Sequence, residues 1–298
     1  MSRITRREFL AGTAAAGAAA YAGGFGFAHE ASAKITSGTD LVTLGKTGIK
    51  TSVLGIGTGT RGGREQRDLG QDSFTKLVRD AYDRGIRYID TADMYKTHAM
   101  VAGAIKGLPR ENLFIQTKTR AKDAAAAKAD IERFRKELQL EQLDTVLMHC
   151  MQSGTFPVDM RPVQEVLLDA KAKGRIRAVG CSCHGWESLS ASVDCKDLDV
   201  QLVRINPFEA KMDGEHDDVA AQIAKMHAKG RGIIGMKIYG ESGYDSAEKR
   251  AEALNYVLGL GTVDAFTIGF KDIGQIEETL AMIEQSLAYV NSGGLLTV

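Results

Sequence analysis

Cysteine is scarce in this chain, with four in 298 residues, which excludes a miniature fold held together by disulfides. An excess of charge of either sign is also missing: 38 Lys and Arg face 38 Asp and Glu. With no basic run, the sequence offers no face for nucleic acid, and that partner is excluded as the main one. Long runs of Leu and Ile are absent too. The apolar stretch over 10–27 is mostly Ala and Gly, which enter lipid weakly, so no stable membrane insertion is expected. No zinc spacing of the C-x2-C kind occurs, and no metal is expected. No internal repeat or break in composition marks a second domain.

What remains is the mixture of an ordinary soluble globular protein, 44% hydrophobic and 26% charged. The 33 glycines point to many tight turns. The first residues read as an address. Adjacent Arg6 and Arg7 precede Phe9-Leu10, the Ala/Gly-rich stretch follows, and Ala31-Ser32-Ala33 supplies a small-x-small exit. This resembles a twin-arginine export signal, and it implies a signal peptide over 1–33, the twin-arginine export machinery as a partner, and a periplasmic or extracellular location. The mature domain is then 34–298.

Along that domain, short runs rich in Val, Ile, Leu and Phe predict strands at 53–57, 87–90, 113–118, 145–149, 178–182, 200–206, 233–237 and 265–269. Helical spacing separates them, as in Phe74, Leu77, Val78 and Tyr82, or Ile131, Phe134 and Leu138. Gly174 and Gly230 sit where a left-handed helix end is favoured. Eight strands alternating with helices predict an α/β fold, a (β/α)8 TIM barrel. A doubly wound sheet would need a glycine fingerprint after its first strand. Gly55, Gly57 and Gly59 alternate without completing one.

Chemistry in such a barrel gathers where strands end in βα loops. The second strand ends at Asp90, with Tyr95 in its loop; the third ends at Lys118 and the fourth at His149. Each has an ordinary structural role when taken singly: helix cap, packed aromatic, surface ammonium, core imidazole. Together they suit carbonyl reduction. A phenol has a pKa of about 10; a nearby ammonium is expected to lower it and make Tyr95 a usable acid. Asp90 aims the ammonium, and neutral His149 orients the carbonyl oxygen.

Residues 43–58 resemble the N-terminal β-hairpin and first strand of the aldo-keto reductase family. Gly85-Ile86-Arg87-Tyr88-Ile89-Asp90-Thr91-Ala92-Asp93-Met94-Tyr95, Phe114 to Lys118, Leu143 to His149 and Lys173 to Ser182 resemble its catalytic strands. The resemblance spans 41–285. It implies a TIM barrel with an N-terminal hairpin and reduction of an aldehyde or ketone, a sugar among the candidates, by NADP(H) or NAD(H). It makes Tyr95 the general acid, with Asp90, Lys118 and His149 as its catalytic partners. On the cofactor side it implies Gly57, Thr58, Ser182, Cys183, Met236, Lys237, Gly269, Lys271, Gln275 and Glu278. Cys183 and Leu202 stand where the family usually has Asn and Gln, Met236 where it has a stacking Tyr, and Gln275 and Thr279 where it has Arg and Asn. The choice between the two dinucleotides therefore stays open.

Export sets a further expectation, since a periplasm has no evident pool of free dinucleotide: the cofactor is tightly bound and travels with the folded protein. The chain is expected to be a monomer. Cys150, Cys181 and Cys183 are expected near one mouth, where a disulfide is conceivable. His98 is expected near the site, and 60–71 and 151–162 as its walls. Two other readings stay open: a barrel that binds or senses without turnover, and a dinucleotide-independent sugar isomerase or lyase.

Overall fold

The computed structural model describes residues 34–241 and 246–293; the expected signal at 1–33 lies outside them. Eight parallel strands close into a barrel in the order β10-β3-β4-β5-β6-β7-β8-β9. They are β3 (Leu54–Gly57), β4 (Tyr88–Asp90), β5 (Phe114–Thr119), β6 (Leu143–Met151), β7 (Ile176–Cys183), β8 (Val200–Arg204), β9 (Gly232–Met236) and β10 (Ala265–Ile268). Each falls on one of the apolar runs. An antiparallel hairpin precedes them, β1 (Leu41–Thr43) paired with β2 (Lys50–Ser52).

Helices α1 (Arg64–Asp68), α2 (Gly70–Asp83), α3 (His98–Ile105), α4 (Ala124–Leu138), α5 (Phe156–Asp159), α6 (Arg161–Ala172), α7 (Trp186–Asp194), α8 (His216–Ala228), α9 (Ala247–Gly259) and α10 (Ile273–Asn291) join the strands. Their apolar stripes bury against the outer faces of the strands. In α4 Ile131, Phe134 and Leu138 are buried, and Asp123 caps the helix by accepting from the Ala126 amide at 2.8 Å. In α2 the buried set is Phe74, Leu77, Val78 and Ala81, so Tyr82 lies at the edge of the stripe. Gly174 and Gly230 take φ of 69° and 84°, ending their helices in the left-handed region.

Strand alternation divides the core in two. Tyr88, Phe114, Leu147, Ala178, Val200, Leu202, Ile234 and Ala265 form the inner cluster. Leu44 and Ile49, from the turn of the hairpin, join that cluster and are 0% and 2% exposed. The turn is tied to the strand starts: the Lys46 amide donates to Gly230 O at 2.9 Å, and the Gly45 amide to Asp264 Oδ2 at 3.3 Å. The hairpin thus plugs the end of the barrel opposite the strand C-termini.

Two local departures matter above the plug. The β6–β7 register shifts between Met148 and Met151, a bulge that puts Cys150 at φ 65°. Strand β8 stops at Arg204, before Pro207, which has no amide for the ladder. Among the described residues, no helix is long and apolar enough to cross a membrane.

Gly55 shows how closely the interior is filled. A Cβ there would lie 2.0 Å from Tyr88 Cδ1, and the ring has no room to retreat. Gly55→Ala is expected to lower the unfolding free energy by about 1–3 kcal/mol, the usual cost of overpacking, measured by urea denaturation.

Candidate active site

At the open end the strand alternation turns polar. Asp90, Gln116 and Lys118 are 4%, 0% and 0% exposed. The Lys118 ammonium donates to Asp90 Oδ1 at 2.6 Å and to Thr91 O at 2.9 Å. Gln116 Nε2 donates to the same carboxylate oxygen at 2.8 Å and to the Tyr88 hydroxyl at 2.9 Å. Asp90 is therefore a partner for the buried cation and not a helix cap. Sequence reasoning missed Gln116, although its place two residues before Lys118 assigns it to the same face.

Tyr95 closes a single 3-10 turn, Asp93–Tyr95. The turn is clamped from outside: Arg133 of α4 donates to Asp93 Oδ1 at 2.7 Å, and Arg67 of α1 donates to the Tyr95 carbonyl. The Lys118 ammonium lies 4.9 Å from the Tyr95 ring centroid, and the His149 ring meets Tyr95 edge-on at 5.7 Å. His184 stands 6.3 Å from His149, again edge-on. The glycine at position 59 makes this possible, since a Cβ there would come within 2.6 Å of Tyr95 Cζ.

The electrostatics differ from the expectation at one point. Burial, and then the Asp90 carboxylate, raise the Tyr95 pKa well above the usual phenol value. Asp90 engages Lys118 so closely that the ammonium does not bring the phenol down, and Tyr95 rests fully protonated. Burial also lowers the Lys118 pKa, against the pull of Asp90. His149 falls to about 2, through burial first and then the Lys118 charge. His184 falls to about 4, through burial and then Arg204. Both imidazoles are neutral at pH 7, and His149 Nδ1 is buried with no partner.

A cavity of about 670 Å³ opens here. Asp90, Tyr95 and His149 line it, as do Gly57, Met236, Lys237, Gly269, Lys271, Gln275 and Glu278. Thr58, Ser182 and Cys183 do not. The Thr58 hydroxyl is buried against Asp90 O and Thr97, and the Ser182 hydroxyl accepts from the Cys150 amide at 2.9 Å. Cys181 and Cys183 alternate with Ser182 and lie in the outer core, where Gln201 Nε2 donates to Cys183 Sγ at 3.5 Å. Of the three expected mouth cysteines only Cys150 lines the cavity, and all four in the chain are free thiols. His98 also lies away from it, held between Glu137 at 2.7 Å and Thr117 at 2.8 Å. No group of three or more His, Cys, Asp or Glu among the described residues is arranged to hold a metal ion.

A nicotinamide dinucleotide fits the β10 side of this cavity. A Cβ at Gly269 would meet Thr60 Oγ1 at 2.1 Å, so Thr60 packs directly on the backbone there. The Thr267 hydroxyl and both polar atoms of the Gln66 side chain are buried without partners. Lys271, Lys237 and Arg250 add positive charge, paired with Glu65 at 3.5 Å, Glu241 at 2.9 Å and Glu278 at 2.5 Å. The β7–β8 side offers less, because Cys183 faces outward and Leu202 is apolar.

Comparison with known proteins agrees with this geometry. A model described as the aldo/keto reductase family matches residues 53–258. The aldo-keto reductase YhdN of Bacillus subtilis (strain 168) is 27% identical over 191 residues, 58% of this chain and 56% of that protein. The glyoxal reductase of the same organism is 33% identical over 140 residues, 45% of this chain and 49% of that protein. The chain thus spans about half the length of these curated relatives. A solved aldo-keto reductase from Bacillus halodurans, in its holo form, shares the fold with a TM-score of 0.66 at 17% identity, covering 84% of this chain and 96% of that one.

Two measurements follow from the charges. Removing one member of the Lys118–Asp90 pair leaves a buried, unanswered charge. Asp90→Asn is expected to cost about 3–5 kcal/mol in urea denaturation, and Asp90→Asn with Lys118→Met clearly less than the sum of the two single changes. Because the folded pKa of His149 is depressed, the unfolded chain binds its proton first. Its contribution to stability is whole above about pH 6.5 and is lost as pH falls toward 2. The His149 imidazole is accordingly expected to show no protonation shift in NMR titration from pH 8 down to 5.

Proposed function

The chain belongs to the aldo/keto reductase family, and from that premise we propose that it reduces an aldehyde or ketone with hydride from NADH or NADPH, with Tyr95 as general acid. The observation that carries the proposal is the fully buried Lys118–Asp90 pair beneath a protonated Tyr95 and a neutral His149 at one cavity. The match to a glyoxal reductase supports a small aldehyde as substrate.

In this reading His149, uncharged, donates a hydrogen bond to the substrate carbonyl oxygen and fixes its orientation. When bound, the dinucleotide supplies hydride to the carbonyl carbon. The oxygen becomes strongly basic as that happens and takes the Tyr95 proton, so a high phenol pKa keeps the acid loaded without blocking transfer. Lys118, just under the ring, offsets the charge left on the phenolate, and Asp90 with Gln116 holds the ammonium there. Met236, Lys237, Gly269, Lys271, Gln275 and Glu278 would hold the cofactor, with Gly57 leaving room for it.

The proposal extends to location. Arg6 and Arg7 before an apolar stretch, with Ala31-Ser32-Ala33 after it, support twin-arginine export to the periplasm or beyond. A folded monomer would then carry its dinucleotide across. One observation favours the rival reading of a binding or sensing barrel: Cys183 and Leu202 offer no polar partner to the cavity.

Turnover separates the two. The protein is expected to reduce a panel of small aldehydes with NADH or NADPH, and Tyr95→Phe to lower kcat about 10²–10⁴-fold. A wild-type protein that turns over no carbonyl compound with either dinucleotide, yet binds the panel, would establish the binding barrel instead.

A further inference from the structure

Six cations line the cavity: Arg120, Arg204, Lys211, Lys237, Arg250 and Lys271. Four have a carboxylate of their own. Lys237 holds Glu241, Arg250 holds Glu278, Lys271 faces Glu65, and Arg204 donates to the buried Asp213. Lys211 acts on Glu241: burial raises that carboxyl's pKa, and Lys237, the Arg61 backbone and then the Lys211 charge bring it below its usual value. Arg120 alone has no acidic partner among the described residues. Its one polar contact is the Met94 sulfur at 3.6 Å.

Its position is set by the strand. Arg120 follows β5 and sits two residues beyond Lys118, so alternation returns its side chain to the face that carries the ammonium. At about 3.3 Å per residue it stands roughly 7 Å nearer the opening. Its charge reaches both His149 and Cys150 and acts on their protonation. The nearby carboxylates are already taken: Asp93 by Arg133 and Lys96, Asp90 by Lys118 and Gln116. A guanidinium left open near the neutral His149 imidazole, at the rim above a phenol, offers a forked set of donors that matches a carboxylate.

We propose that the substrate of this barrel carries a carboxylate besides its carbonyl group, and that Arg120 binds that carboxylate while the carbonyl oxygen lies between Tyr95 and His149. The proposal rests on the reductase reading for the placement of the carbonyl, but the anion site itself can be tested without turnover. No covalent step is added: Arg120 binds and selects, and the reaction is unchanged.

The test uses pairs of equal shape that differ in charge. Isothermal titration calorimetry of the full protein compares para-carboxybenzyl alcohol with para-nitrobenzyl alcohol, and initial rates compare the corresponding aldehydes. The carboxylate is expected to bind about tenfold or more tightly, as for a hydrogen bond to a charged group. Arg120→Met is expected to bring the ratio of the two affinities close to one, and Arg120→Lys to restore part of it. Arg120 is exposed with no ion pair, and a thermal melt of each variant checks its fold. Equal affinities in the wild type, or a preference that survives Arg120→Met, overturn the proposal. Turnover of para-nitrobenzaldehyde without any carboxylate preference overturns it and leaves the reductase reading standing. A preference lost in Arg120→Met, with neither these aldehydes nor any carbonyl compound of the panel reduced, supports the anion site and sinks the reductase reading.

Discussion

A positive charge buried inside the barrel is the constraint on which the rest of the site is built. Lys118 is wholly buried, and an isolated ammonium there would shed its proton. Asp90 answers the charge from the neighbouring strand, and Gln116 and Thr91 complete the hydrogen bonds around the pair. Two adjacent strands, β4 and β5, are locked together by this one arrangement. Above it, the phenol of Tyr95 and the imidazole of His149 are shifted first by their own burial and then by the nearer charge of the pair.

The scaffold serves that arrangement through small exceptions to regularity. Gly55 and Gly59 remove side chains where Tyr88 and Tyr95 must lie, and the β6 bulge redirects the backbone just after His149. Arg133 fixes the short turn bearing Tyr95 from the helical layer, so the phenol is positioned by residues outside the cavity as well as within it. Rigid strands, a clamped turn and a sealed lower end leave the upper loops as the part free to define what enters.

Much of this was legible in the sequence because a parallel barrel buries both faces of each strand, giving compact apolar runs that end at the mouth. Asp90, Lys118 and His149 could be read as strand-end residues for that reason. The cofactor side was harder. Cys183 occupies the right place in a motif but the wrong phase of the strand, and a shared position in sequence does not reveal which way the chain's pleat turns a replaced side chain. His98 looked like a site residue, yet its partners Glu137 and Thr117 come from elements joined to it only by folding. The Tyr95 pKa went against expectation because burial, which a strand-end position in the sequence does not reveal, raises it first and the Asp90 carboxylate second.

The outward turn of Cys181 and Cys183 bears on how the protein meets oxidants. Both sulfurs are sealed between the strand layer and the helices, whereas Cys150 alone is half-buried at the rim. Peroxide or a thiol-reactive electrophile arriving from solvent therefore finds a single foothold in the mouth, and damage there would fall on a residue adjoining His149 while leaving the wall behind it intact.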